Sequence, residues 1–209
     1  MIPVVKQEEP KDFNKKVRIP GQRFLQTDPS PSSRQLQRHN YWRYIKEDLY
    51  NLYANICAYT GEWIPVTSAS VDHFIPKSKE PQLAYEWDNY RLTTGIMNNN
   101  KGEQTDIIDP FDVHTGWFVL VLPSCDIKPC TTLDEIDSKR VDRTINILKL
   151  NSYDRTNKRY GIIQAYIRND ITFDLLQRKY PYIAFELERQ GVRETISDYF
   201  KTKNKTLEI

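Results

Sequence analysis

Cysteine is scarce in this 209-residue chain: Cys57, Cys125 and Cys130 are all there are. So small and odd a set argues against a disulfide framework and cannot build a four-cysteine zinc site. No run of 18 apolar residues occurs, so no membrane partner is expected. Met1 to Pro10 lacks the basic stretch and apolar run of a secretory leader, and a cytoplasmic protein is the expectation. Neither sign of charge dominates, with 30 Lys and Arg against 28 Asp and Glu, a formal net charge of +2 and an isoelectric point near 8.3. That falls short of the basic excess of a protein that holds DNA by electrostatics alone, so a nucleic-acid contact is expected to be a local patch or shared with a partner. Repeats and low-complexity tracts are missing as well.

What is present is a globular composition, 39% hydrophobic and 12% aromatic with 13 Tyr, on a length suited to one domain with appendages. Residues 1–33 carry five of the twelve prolines and no apolar period, and are expected to form an extended arm. Ser32 or Ser33 can cap a long helix running to about Asn55, with Ile45, Leu49, Leu52 and Ile56 as its apolar stripe and His39 on a solvated face. Residues 56–64 and 70–75 read as two strands of a hairpin, 77–88 as a loop, and 91–100 as a short helix ended by Gly102. A third strand spans 116–123. Three helices are predicted over 133–151, 153–169 and 171–189, with Ile136, Val141, Ile145 and Leu148 on the apolar side of the first. Residues 191–209 turn polar and are expected to fray. The chain thus divides into the arm (1–33), a central region (34–124) and a helical C-terminal region (125–209).

Chemistry concentrates in Ser70-Val71-Asp72-His73-Phe74-Ile75-Pro76, then Asp88-Asn89-Tyr90-Arg91-Leu92, then Met97-Asn98-Asn99-Asn100-Lys101-Gly102. Singly, an Asp-His pair on a strand is most often a hydrogen-bonded core histidine, and an Asn run a cap or turn. Together, in order and spacing, the segments resemble the HNH endonucleases over residues 57 to 102. The resemblance implies an α+β fold in which a strand–strand–helix metal core (ββα-metal) is embedded in a mostly helical chain. Asn98 stands where the family carries its third His, giving an HNN variant.

Phosphodiester hydrolysis needs a base for water and a cation for the charge growing on phosphate. His73 suits the base if its other ring nitrogen is held by an acceptor. Asp72 and Asn98 supply oxygens for a hard cation, Mg2+ or in its place Mn2+. Neighbouring strand residues point to opposite faces, so the strand is expected to bend or end at Asp72-His73. The resemblance gives Asn89 the task of fixing the loop and orienting His73, and makes Lys101, with Arg91, a candidate substrate-binding cation; Lys101 is equally a helix C-terminal charge. The zinc-binding pairs of many HNH proteins fall here on Cys57 with Thr60 and Thr94 with Met97. No structural zinc is therefore expected, Cys57 reads as a small buried hydrophobe, and packing by Tyr59, Trp63, Phe74, Leu92 and Met97 replaces the metal.

The function implied is a metal-dependent DNA endonuclease similar to the stand-alone HNH nucleases of Septu- and retron-type antiphage defence, with an ABC- or SMC-like ATPase as partner. The arm and the helices after Leu133 are the surfaces expected to meet that partner. A non-catalytic protein-binding module on the same frame and an RNA nuclease are the alternatives.

Overall fold

The computed structural model describes residues 1–201. Its centre is a pair of antiparallel strands, β1 (Ala69–His73) and β2 (Tyr90–Thr94), followed directly by a helix. Ala69, Val71 and His73 alternate with Ser70 and Asp72, so the strand has an apolar face and a polar one. In register, Val71 lies opposite Leu92, Asp72 opposite Arg91, and His73 opposite Tyr90. The helix after β2, Gly95–Lys101, begins where the Thr94 side chain accepts the Met97 amide and ends at Gly102, whose φ of 53° suits glycine.

This arrangement corrects two expectations. The 70–75 strand pairs with β2 and not with 56–64, which contributes only an isolated bridge between Ile56 and Trp63. The segment from Arg91 to Thr94 is strand rather than helix. Tyr-Arg-Leu-Thr-Thr is rich in the aromatic and β-branched residues that suit a pleated surface, and that preference wins over the weak helical pattern.

The residues before β1 also depart from expectation. The arm is not extended throughout: Asn14–Arg18 forms a π-helical turn that continues into α1 (Ile19–Thr27). Phe13 and Val17 are fully buried, and the Phe13 ring meets Trp87 and Tyr90 edge-on. Pro20 does not break α1 because it lies in the first turn, where no amide partner is lost. Gly21 is required by close packing, since a Cβ there would sit 2.1 Å from Cγ of Tyr85. The predicted long helix is three pieces: α2 (Ser33–Arg38, capped by Ser32), a 3-10 turn over Tyr41–Ile45, and α3 (Lys46–Leu52). Ile45 and Leu49 are buried as predicted, but Leu52 is exposed. His39 is stacked on Phe24 at 3.8 Å rather than lying on a solvated face, and this contact sits at the break.

After α4, the Gly95–Lys101 helix, a second hairpin joins β3 (Phe118–Val121) to β4 (Asp126–Pro129), a partner the sequence reading missed. Five helices complete the described chain: α5 (Glu135–Ile147), α6 (Tyr153–Ile167), α7 (Phe173–Lys179), α8 (Pro181–Arg189) and α9 (Ile196–Lys201). Pro181 divides the predicted 171–189 helix into α7 and α8. Val141, Ile145 and Leu148 are buried as predicted, whereas Ile136 is exposed. Of the segment expected to fray, Ile196–Lys201 is helical and residues 202–209 lie outside the described part. One hydrophobic cluster runs from Met1 through both hairpins to Ile196, so residue 124 is no break in the core. Among the described residues no helix is long and apolar enough to cross a membrane.

Candidate functional site

His73 is the last residue of β1, so the strand ends where the chemistry was expected to require it. Its ring is packed edge-on against Trp42 at 4.7 Å and Tyr90 at 5.1 Å. Nε2 lies 3.0 Å from the Ala84 carbonyl. A carbonyl can only accept, so Nε2 carries the proton and Nδ1 keeps a free lone pair. The same carbonyl accepts the Tyr90 hydroxyl at 2.7 Å, which fills both of its lone pairs and fixes it. Among the described residues nothing bonds to Nδ1. Among the described residues no buried side-chain nitrogen or oxygen lacks a partner, so Nδ1 reaches open space. Burial is the main cause that drives the imidazole pKa down to about 3, with Lys77 adding to the effect, so His73 is neutral near pH 7.

The open space is a cleft of about 740 Å³ bordered by Asp72, His73 and Asn98, with Trp42, Lys77 and Glu103 on its rim. Asp72 belongs to the polar face of β1 and His73 to the apolar face, yet both reach the cleft because the strand stops there. Asn98 and Lys101, three residues apart, share the side of α4 that covers the polar face. Asn98 Nδ2 donates to Ser70 Oγ at 3.2 Å and to the Val71 carbonyl at 3.3 Å, which leaves its Oδ1 available. Asp72 is 1% exposed, with Oδ2 accepting the Tyr59 hydroxyl at 2.5 Å and Oδ1 accepting Lys101 Nζ at 3.1 Å. Burial raises the Asp72 pKa, opposed by the Lys101 ammonium and the bond from Tyr59.

Searches of protein-family models and of curated proteins find no match for this chain.

Two of the predicted site residues lie away from the cleft. Lys101 is 1% exposed, bonded to Asp72 and, at 2.8 Å, to the His73 carbonyl. Its ammonium is therefore committed inside the protein and does not face a substrate. Arg91 is 4% exposed. It pairs with both carboxylate oxygens of Asp109, donates to the Asp88 and Tyr90 carbonyls, and lies 3.6 Å over the Phe111 ring. Arg91 lies opposite Asp72 in the strand register and is held by Asp109, and Lys101 lies on the covered side of α4.

Asn89 acts on the loop. Its Oδ1 accepts the Ile75 amide at 2.7 Å, while Nδ2 donates to the carbonyls of Ile75 and Leu83 at 2.9 and 3.1 Å. It thereby ties the turn after His73 to the 3-10 turn Pro81–Tyr85, which carries the Ala84 carbonyl. Its effect on His73 passes through that carbonyl rather than through direct contact.

Sequence reading missed Lys77, Tyr59 and Trp42 as site residues. Lys77 is the half-buried cation of the cleft, its Nζ 5.4 Å above the Trp42 ring. A lysine four positions after His73, past a proline turn, was the available signal. The sequence marks Tyr59 only as packing, and nothing local to it reveals a bond to Asp72. Cys57 is fully buried, 3.5 Å from the Thr93 hydroxyl, while Thr60 and Thr94 border a separate cleft.

A hard divalent cation fits the donor set as a lightly held ion. The Asp72 carboxylate, each oxygen of which already accepts one bond, and the free Asn98 amide oxygen both belong to the lining of this cleft, and Mg2+ is usually held by one or two such groups with the rest water. Among the described residues no group of three His, Cys, Asp or Glu side chains converges.

Proposed function

We propose that the chain is a metal-dependent endonuclease that hydrolyses DNA phosphodiester bonds, with β1, β2 and α4 as its ββα-metal core. The observation that carries this reading is the state of His73, with one ring nitrogen spent on the Ala84 carbonyl and the other bare in a cleft shared with Asp72 and Asn98. In this reading Nδ1 of His73 removes a proton from the attacking water. Lys77 offsets charge on a phosphate oxygen. Asp72 and Asn98 would hold Mg2+, which when bound supplies further stabilisation of the developing charge. Tyr59 and Lys101 keep the Asp72 carboxylate in place, and Trp42 and Tyr90 fix the imidazole plane.

The chain's place in antiphage defence and its ATPase partner rest on the sequence resemblance. The arm is the weaker candidate for partner contact now that Phe13 and Val17 are buried, which leaves the outer faces of α5 to α8. The test is plasmid cutting in Mg2+ by wild type and His73→Ala at equal melting temperature. A rate loss of about 10²–10⁴ is expected for removal of a general base. Equal cutting would overturn the reading, and wild type that binds partner protein but cuts neither DNA nor RNA would favour a non-catalytic module.

A further inference from the structure

A second cleft, of about 610 Å³, opens beside the other end of α4. Hydroxyls from Thr60, Thr67 and Thr94 border it, and α6 brings Arg155 and Lys158 to its wall three residues apart. Glu62 is the one carboxylate on this lining, and Lys158 Nζ already pairs with it at 2.5 Å. Trp63 of the same wall carries Lys179, itself outside the lining, 3.6 Å over its ring. Arg155 is half-buried, and among the described residues its guanidinium pairs with no acceptor. With Lys158 paired to Glu62, Arg155 is the one uncompensated charge among the described residues of this lining.

The two clefts meet at Ser70, which borders both. Helix α4 runs alongside, with Asn98 and Gly102 at the first cleft and Thr94 and Ile96 at the second. Seven helical residues rise about 10 Å. That is about three nucleotides at roughly 3.4 Å per nucleotide along one strand.

We infer that the second cleft is a phosphate-backbone track for DNA, holding the strand about three nucleotides from the bond cut beside His73, with Arg155 as the direct phosphate contact. This rests on the nuclease reading of the first cleft. A guanidinium matches phosphate with two parallel bonds, and threonine hydroxyls add donors of the kind that position a strand without reading its sequence.

The test begins with binding of a 20-base-pair DNA duplex without divalent cation, so that no cutting intervenes. Arg155→Glu is expected to bind about 10-fold more weakly than wild type and to lower the salt slope by about one. Arg178→Glu, the same charge change on α7 where Arg178 pairs with exposed Asp174, is expected to stay within about twofold of wild type. In Mg2+, Arg155→Ala is expected to raise KM for long duplex while a dinucleotide diester, too short to reach the second cleft, is cut at the wild-type rate. Equal losses from the two charge reversals would overturn the track, and a loss confined to an RNA duplex would overturn its assignment to DNA. Failure of the nuclease reading looks different: wild type cuts neither substrate while the binding contrast between the two reversals still holds.

Discussion

Asp72 and Lys101 show how a residue can be visible in a sequence while its role is not. Both were singled out on spacing, but the structure joins them in a buried pair, side-chain exposures 2% and 0%, that no sequence feature announces. Removing one partner of such a pair leaves an uncompensated buried charge. Lys101→Met is accordingly expected to cost about 3–5 kcal/mol of stability, read by urea unfolding. A substrate-binding lysine would instead raise KM and leave unfolding unchanged. His73 gives a second expectation, in pH. Its folded-state pKa is depressed from 6.5 to about 3. As pH falls below about 6.5 the unfolded chain takes up a proton that the folded chain refuses until about 3, so stability is lost across that window. The urea midpoint of wild type is expected to fall between pH 7 and about pH 4, and to fall less in His73→Gln. An equal fall in both would remove His73 from the explanation.

At the level of elements, legibility followed periodicity. The helices α5 and α6 carry long patterns and were read correctly, since Val141, Ile145 and Leu148 repeat at helical spacing. The strand β1 was read correctly from its alternation, but its partner was not. Antiparallel pairing across the 16 residues between His73 and Tyr90 leaves no local trace, whereas 56–64 lay nearer and looked strand-like. Helix α1 was missed because its buried side depends on Gly21 accepting the Tyr85 ring, a fit invisible in a proline-rich stretch. The turn Pro81–Tyr85 was read as a loop, and it supplies the carbonyl that sets the His73 tautomer. Asn89 is the clamp on that turn. Asn89→Ala is expected to lower kcat by about 10²-fold through loss of His73 alignment, with far-ultraviolet circular dichroism near wild type. Retained kcat would show that the turn holds its place without Asn89.

Across the whole molecule, one core joins the N-terminal segment, both hairpins and the C-terminal helices. The strand–strand–helix unit is thus held by elements on both sides of it in sequence. Of the side chains expected to pack in place of a metal, Tyr59, Leu92 and Met97 are each at most 1% exposed, whereas Trp63 and Phe74 are only half-buried. Charge is nearly balanced overall, which bounds what the chain does alone. Isolated protein is expected to bind duplex DNA weakly and to lose affinity steeply between about 50 and 200 mM salt. Nanomolar binding at physiological salt would remove the need for a second protein at the DNA.

In the proposed reaction the Nδ1 lone pair of His73 is the base in phosphodiester cleavage. Its most direct test is chemical rescue: plasmid cutting by His73→Ala in Mg2+, with and without free imidazole titrated across neutral pH. The variant is expected to be nearly inactive and its rate to rise in proportion to the concentration of neutral imidazole, with the wild type unaffected. A variant that cuts at the wild-type rate without imidazole would contradict it.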